Sequence, residues 1–153
     1  MIYLDSSALV KLAVTEPESA ALRHWLAGQP NLVRVSSSVI RVEVPRAVWR
    51  AEPTALPESY QIIQRTGEVG LTDEVLSKAA GVRPPTLRVI DAIHLASALA
   101  IRQELTAFVA YDKRLLAAAK RPGCPPPARR EGRRFPRKPS ERVLRQALSL
   151  IHI

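Results

Sequence analysis

The chain has 153 residues, 46% of them hydrophobic and 24% charged, with one cysteine and a formal net charge of +9. That is the length of one domain, and the composition excludes the disordered, fibrous, disulfide-stapled and Cys/His zinc-binding classes. The longest near-apolar run, residues 92–101, is too short to span a membrane, and the opening MIYLDSSALV lacks the basic start of a signal peptide, so the expectation is a cytoplasmic protein of a reducing compartment.

The charge is unevenly placed. Residues 1–119 hold 13 Lys/Arg against 12 Asp/Glu, whereas residues 120–153 hold 10 Lys/Arg against two Glu and contain six of the 13 prolines. A domain of residues 1–119 followed by a basic, Pro/Arg-rich and disordered tail of residues 120–153 is therefore expected. Three readings of the tail stay open: a basic arm that contacts phosphates, an inert extension, or a non-native out-of-frame sequence. The last is prompted by the terminal LSLIHI, which coincides with one frame of a transposase adapter used in sequencing libraries.

In chain order, IYL at residues 2–4 reads as a short strand that ends at Asp5, and Ser6 and Ser7 lead into a helix, ALVKLAV. Residues 18–27 carry Leu22, Trp25 and Leu26 at helical spacing, with Gly28 and Pro30 as the stop. Residues 32–36 alternate as a strand, and Ser36–Ser38 are expected to cap a helix over about residues 39–51. Pro45 inside that helix removes a donor at a cost of about 3 kcal/mol, which predicts a kink or a later start. Further helices are expected over residues 57–66, 73–80, 87–105 and 113–119, and strands over 68–71 and 107–111. Strands alternating with helices predict an α/β fold, a parallel sheet of four or five strands with helices on both faces.

Ligands of such a sheet lie beyond the carboxyl ends of its strands. Asp5 follows the first strand and Asp112 the last; Asp91 opens the long helix, whose core stripe is expected through Ile93, Ala96 and Ala100. Glu43 shares a helical face with Arg46 and Arg50, away from Ile40, Val44 and Val48. Each acid also has a plain structural reading. Asp5 can form an Asx-turn or a cap, Glu43 a solvated pair with Arg46, Asp91 a favourable first-turn charge and Asp112 a cap. If the four converge, they form a hard-oxygen site suited to Mg²⁺ or Mn²⁺ and to phosphoester hydrolysis. Dinucleotide, P-loop, zinc-protease and serine-hydrolase motifs are missing. His94 reads as a packed or hydrogen-bonded histidine and not as a ligand, and Cys124 has no base nearby.

The segments MIYLDSSALVKL, SSSVIRVEVPRAVWR, RVIDAIHLASAL and AFVAYDKRLLAAA, in that order, resemble the PIN-domain family, specifically the VapC-like toxins of bacterial type II toxin–antitoxin modules. The resemblance covers residues 1–119. It implies a parallel sheet between helices, Asp5 and Asp91 as principal metal ligands, Glu43 and Asp112 completing the acidic site, and Ser7 orienting water or phosphate. The implied activity is endoribonuclease cleavage leaving a 3′-hydroxyl and a 5′-phosphate; the implied partners are RNA, a cognate antitoxin and a second copy of the chain. Two departures stand out: RPGCPPP replaces the family's short final strand, which would leave a sheet edge open, and Pro45 lies close enough to displace Glu43. Lys11, Arg46, Arg50, Arg88, Lys113 and Arg114 are candidates for phosphate contacts, whereas aromatics at 5% of the chain offer no evident stacking platform for bases. The rival readings are a non-catalytic PIN-like module that docks an antitoxin or RNA, and a receiver-like signalling domain. Against the receiver, a single Asp5 stands where that fold needs an acid pair.

Overall fold

The structure, a computed structural model, describes residues 1–120 and the backbone of Leu150–Ile151. Four parallel strands, β1 (Ile2–Leu4), β2 (Arg34–Ser37), β3 (Gly67–Val69) and β4 (Ala107–Val109), form the sheet. The strand order is β3-β2-β1-β4, and Leu150–Ile151 adds a fifth strand, β5, antiparallel to β4. The open edge expected from the missing final strand is thus occupied by a two-residue pairing. Apart from Lys120 and those two residues, the expected basic tail lies outside the described residues.

The helices are α1 (Ser6–Ala13), α2 (Ser19–Ala27), α3 (Ile40–Ala51), α4 (Leu56–Gln64), α5 (Asp73–Ala80), α6 (Val89–Ala100) and α7 (Lys113–Ala119). Strand alternation sorts them into two layers. Ile2 and Leu4 of β1 enter a core built with Leu9, Leu22, Ile40, Val44 and Val48 from α1, α2 and α3. Tyr3 points the other way, into a core with Phe108, Leu95 and Leu115, where its ring stacks on Phe108 at 5.2 Å. Being covered on both faces, β1 and β4 are apolar at every position, as a buried parallel sheet requires. Gly67 opens β3 where a Cβ would come within 3.2 Å of the Val35 side chain.

The differences from the expected elements have local causes. Ser36 and Ser37 belong to β2 and are buried; they cap nothing, and α3 starts after them with Val39 as a cap that lacks a side-chain bond. Pro45 stays inside α3. Its cost is outweighed because Ile40, Val44 and Val48 are fully buried, at about 1.5–3 kcal/mol each. α6 is shorter than expected, since the chain turns at residues 101–104 to bring Thr106, whose N–H donates to the Met1 carbonyl at 2.7 Å, alongside β1. The α6 core stripe is also rotated: Ala100 is exposed, and Leu95 and Ala98 are buried beside Ala96. Among the described residues no helix is long and apolar enough to cross a membrane.

Candidate functional site

The chain runs from β1 outward through β2 to β3 and then returns to the other side of β1 as β4. The strand order reverses between β1 and β4, and a crevice opens beyond their carboxyl ends. Asp5 leaves β1 at that point, and Tyr111 and Asp112 leave β4. A cleft of about 960 Å³ lies there, lined among others by Ser6, Ser7, Glu43 and Asp112. Asp5 and Asp91 are not in that lining; they are buried, at 3% and 7% exposure.

Asp5 is the N-cap of α1, its Oδ1 accepting from the Ala8 N–H at 2.9 Å and the Ser7 hydroxyl at 2.6 Å. The capping reading is therefore realised, and it engages only one carboxylate oxygen in these bonds. Burial pushes the Asp5 carboxyl up to about 6, against the pull of His94, Ser7 and Ala8, and Glu43 adds to the rise. Ser7 also accepts from the Tyr111 N–H at 2.8 Å. One hydroxyl thus ties the exit of β4 to the acid at the exit of β1.

Glu43 stands in the first turn of α3, and Pro45 does not remove it from the cleft. Its Oε2 accepts from Ser6 Oγ at 2.5 Å and pairs with His94 Nε2 at 2.8 Å. Burial raises the carboxyl, but the His94 and Ser6 hydrogen bonds win and hold it below its usual range. On the far side of the His94 ring, Nδ1 lies 2.9 Å from the Tyr3 hydroxyl, which accepts from the Ser37 N–H at 3.0 Å. A buried polar chain therefore runs from β2 through β1 and α6 to α3. The sequence reading reached His94 as a hydrogen-bonded residue but missed Ser6 and Tyr3. The only local sign of Ser6 was its place directly after Asp5 at the strand-to-helix turn.

Asp91 lies in the first turn of α6 with Oδ2 buried and without a hydrogen-bond partner among the described residues. Burial raises its carboxyl, and the charge of Asp112 raises it further, with a smaller push from Glu43. Asp112 caps α7 through Oδ1, which accepts from the N–H groups of Arg114 and Leu115 at 2.7 and 3.1 Å. The acids are thus near enough to repel one another. Even so, among the described residues no three His, Cys, Asp or Glu side chains form a group that would cage a metal.

Of the six candidate phosphate contacts, Lys11 is engaged elsewhere. Its ammonium pairs with Glu16, bonds Glu18 at 2.8 Å and sits 4.7 Å over the Tyr111 ring. Arg46 and Arg50 line the cleft from α3, on the Glu43 face that helical spacing had indicated.

The PIN domain family model matches residues 2–121. Three proteins of Mycobacterium tuberculosis are similar to this chain. Ribonuclease VapC47 is 42% identical over 126 residues, covering 80% of this chain and 93% of its own length. Ribonuclease VapC35 is 41% identical over 121 residues, with 78% and 90% coverage, and ribonuclease VapC46 is 43% identical over 119 residues, with the same coverage. No solved structure matches the chain.

Proposed function

This chain belongs to the PIN-domain family and is VapC-like, and from that premise we propose that it is a metal-dependent endoribonuclease, the toxin of a toxin–antitoxin module. The observation that carries the reading is the set of mutually repelling carboxylates at the strand-order reversal, including the partnerless buried Oδ2 of Asp91. An all-oxygen donor set of this kind fits a hard cation, Mg²⁺ or Mn²⁺.

Asp5 and Asp91 would hold the cation, with Glu43 and Asp112 acting directly or through water. When bound it supplies charge neutralisation at the phosphate and activation of the attacking water. Ser7 keeps Asp5 and the Tyr111 backbone in register, and Ser6 and His94 keep Glu43 ionised and oriented toward the cleft. RNA is the substrate class, a cognate antitoxin is the protein partner, and the cytoplasm is the site of action. Homodimer formation is part of the same proposal, and exposed Leu76 and Val89 give apolar surface for it outside the cleft lining.

The test is cleavage of total bacterial RNA by the purified, folded chain with Mg²⁺, with Mn²⁺ and with EDTA, beside Asp91→Asn. Discrete metal-dependent products that the variant does not form are expected. A folded chain that cuts no RNA under any of these conditions would overturn the nuclease in favour of a non-catalytic module that docks an antitoxin or RNA.

A further inference from the structure

Trp49, on α3, is 65% exposed and lines the same cleft as Glu43 and Asp112. Val42, seven residues earlier on the same helix and 62% exposed, lines the cleft with it, so the indole is not a lone exposed apolar side chain, and its other neighbours on the helix are informative. Arg46 precedes it by three residues and Arg50 follows it, both exposed, both lining the cleft, and neither in an ion pair or hydrogen bond with another described residue. The two arginines are also four residues apart on one helix, where like charges repel by a few tenths of a kcal/mol. Across the cleft Lys11 is already neutralised by Glu16 and Glu18. The uncommitted positive charge of the cleft wall therefore lies on α3, around the indole.

Resting on the nuclease reading, we propose that α3 is the track for the single-stranded RNA flanking the scissile phosphate, with Arg46 and Arg50 taking backbone phosphates and the Trp49 indole stacking an unpaired base. The spacing suits this. Trp49 lies six residues beyond Glu43, about 9 Å along the helix axis, so the stacked base belongs to a nucleotide beside the cut and not to the cut itself. A stacking face with guanidinium groups on either side is the pattern by which single strands are held without base-edge readout. A duplex keeps its bases stacked internally and cannot use the indole, so the substrate class is unpaired RNA. A two-fold contact between copies centred on Trp49 would instead bring Arg46 and Arg50 of both chains together, which disfavours self-association over this face. The low aromatic content of the chain concealed the platform, because one tryptophan suffices when the fold leaves it exposed beside two cations that pair with no described residue.

The experiment measures binding and cleavage separately. The full chain carrying Asp91→Asn and Trp25→Phe has Trp49 as its sole tryptophan. It is titrated in EDTA with a 12-nucleotide single-stranded RNA and with the same RNA annealed to its complement. The single strand should quench Trp49 fluorescence and the duplex should not. In the Asp91→Asn background, Trp49→Ala should weaken single-strand binding roughly tenfold to a hundredfold, with Trp49→Phe restoring most of it. Arg46→Ala should reduce the salt slope of log K by about 0.7. Wild type that cleaves RNA, with Trp49→Ala binding and cutting equally well, overturns the stacking proposal and leaves the nuclease standing. Trp49→Ala that alters the sedimentation mass of the chain but not its RNA affinity overturns it in favour of a protein interface. A wild type that neither binds nor cuts any RNA removes both readings at once.

Discussion

His94 Nε2 lies 2.8 Å from Glu43 Oε2, although 51 residues separate the two in sequence, and this contact binds α6 to α3 beside the cleft. With Ser6 donating to the same oxygen and Tyr3 bonded to the opposite ring nitrogen, the imidazole holds a fixed place in a closed polar chain. A buried network of this kind stabilises only while every member is satisfied.

Replacing His94 with Ala should therefore cost stability beyond the lost packing, because the Tyr3 hydroxyl and Glu43 each lose one bond, while the Ser37 N–H and Ser6 still reach them. An ordinary bond is worth about 0.5–1.5 kcal/mol and one to a charged group about 1.5–3 kcal/mol, so the urea midpoint should fall by the equivalent of about 2–4 kcal/mol, with the m-value unchanged. An unchanged midpoint would show that water replaces the ring at no cost.

Asp5 gives the metal-free protein a pH dependence whose sign is fixed. Its carboxyl titrates at about 6 in the fold against an ordinary 3.8, so between these values the folded state holds the proton more tightly than the unfolded one. This contribution is fully present below pH 3.8 and is lost as the pH rises to 6. The shift corresponds to roughly 3 kcal/mol. Thermal melts in EDTA should show Asp5→Asn gaining on the wild type across that window; parallel curves for the two proteins would contradict the assignment.

Magnesium should raise the melting temperature of the wild type and not that of Asp91→Asn. A hundredfold excess over Kd stabilises a one-site protein by about 2.7 kcal/mol, which is well resolved by calorimetry. In EDTA the variant should melt no lower than the wild type, because the amide removes the repulsion from Asp112 and Glu43 that raises the Asp91 carboxyl. Equal magnesium shifts in both proteins would place the cation elsewhere.

Ser7→Ala removes two bonds at once, the one it donates to Asp5 and the one it accepts from the Tyr111 N–H. A loss of about 1–3 kcal/mol is expected, along with a larger fall in cleavage rate than in RNA affinity, since the hydroxyl positions Asp5 and not the strand. Comparing single-turnover rates with anisotropy titrations separates the two effects. A variant that loses affinity and rate in equal proportion would instead put Ser7 in contact with RNA.

Much of the fold was legible because its signals are local. α5 and α7 run over the residues expected of them, with Asp112 as the cap of α7; the apolar run at residues 2–4 is β1, and the strand expected over residues 107–111 is β4, which ends at Val109. Asp5 and Asp112 could be placed at the ends of strands before any coordinates, since a polar residue that closes a buried apolar run must lie where the strand emerges. The serines before α3 misled because the same hydroxyls suit a cap or a buried strand, and only the pairing of β2 with β1 and β3 decided between them.

The sequence by itself determined the element types, the α/β architecture of a sheet between two helical layers, and the family, all of which rest on short-range periodicity and on motifs within single segments. The tertiary structure alone decided that Ser6, Tyr3 and His94 fix Glu43, that Asp91 keeps a buried oxygen without a partner among the described residues, that Lys11 is committed to Glu16 and Glu18 while Arg46 and Arg50 pair with no described residue, and that Leu150–Ile151 meets β4. These depend on which surfaces meet when the sheet orders itself as β3-β2-β1-β4. Many chain-distant pairings are compatible with one local pattern, and packing selects among them.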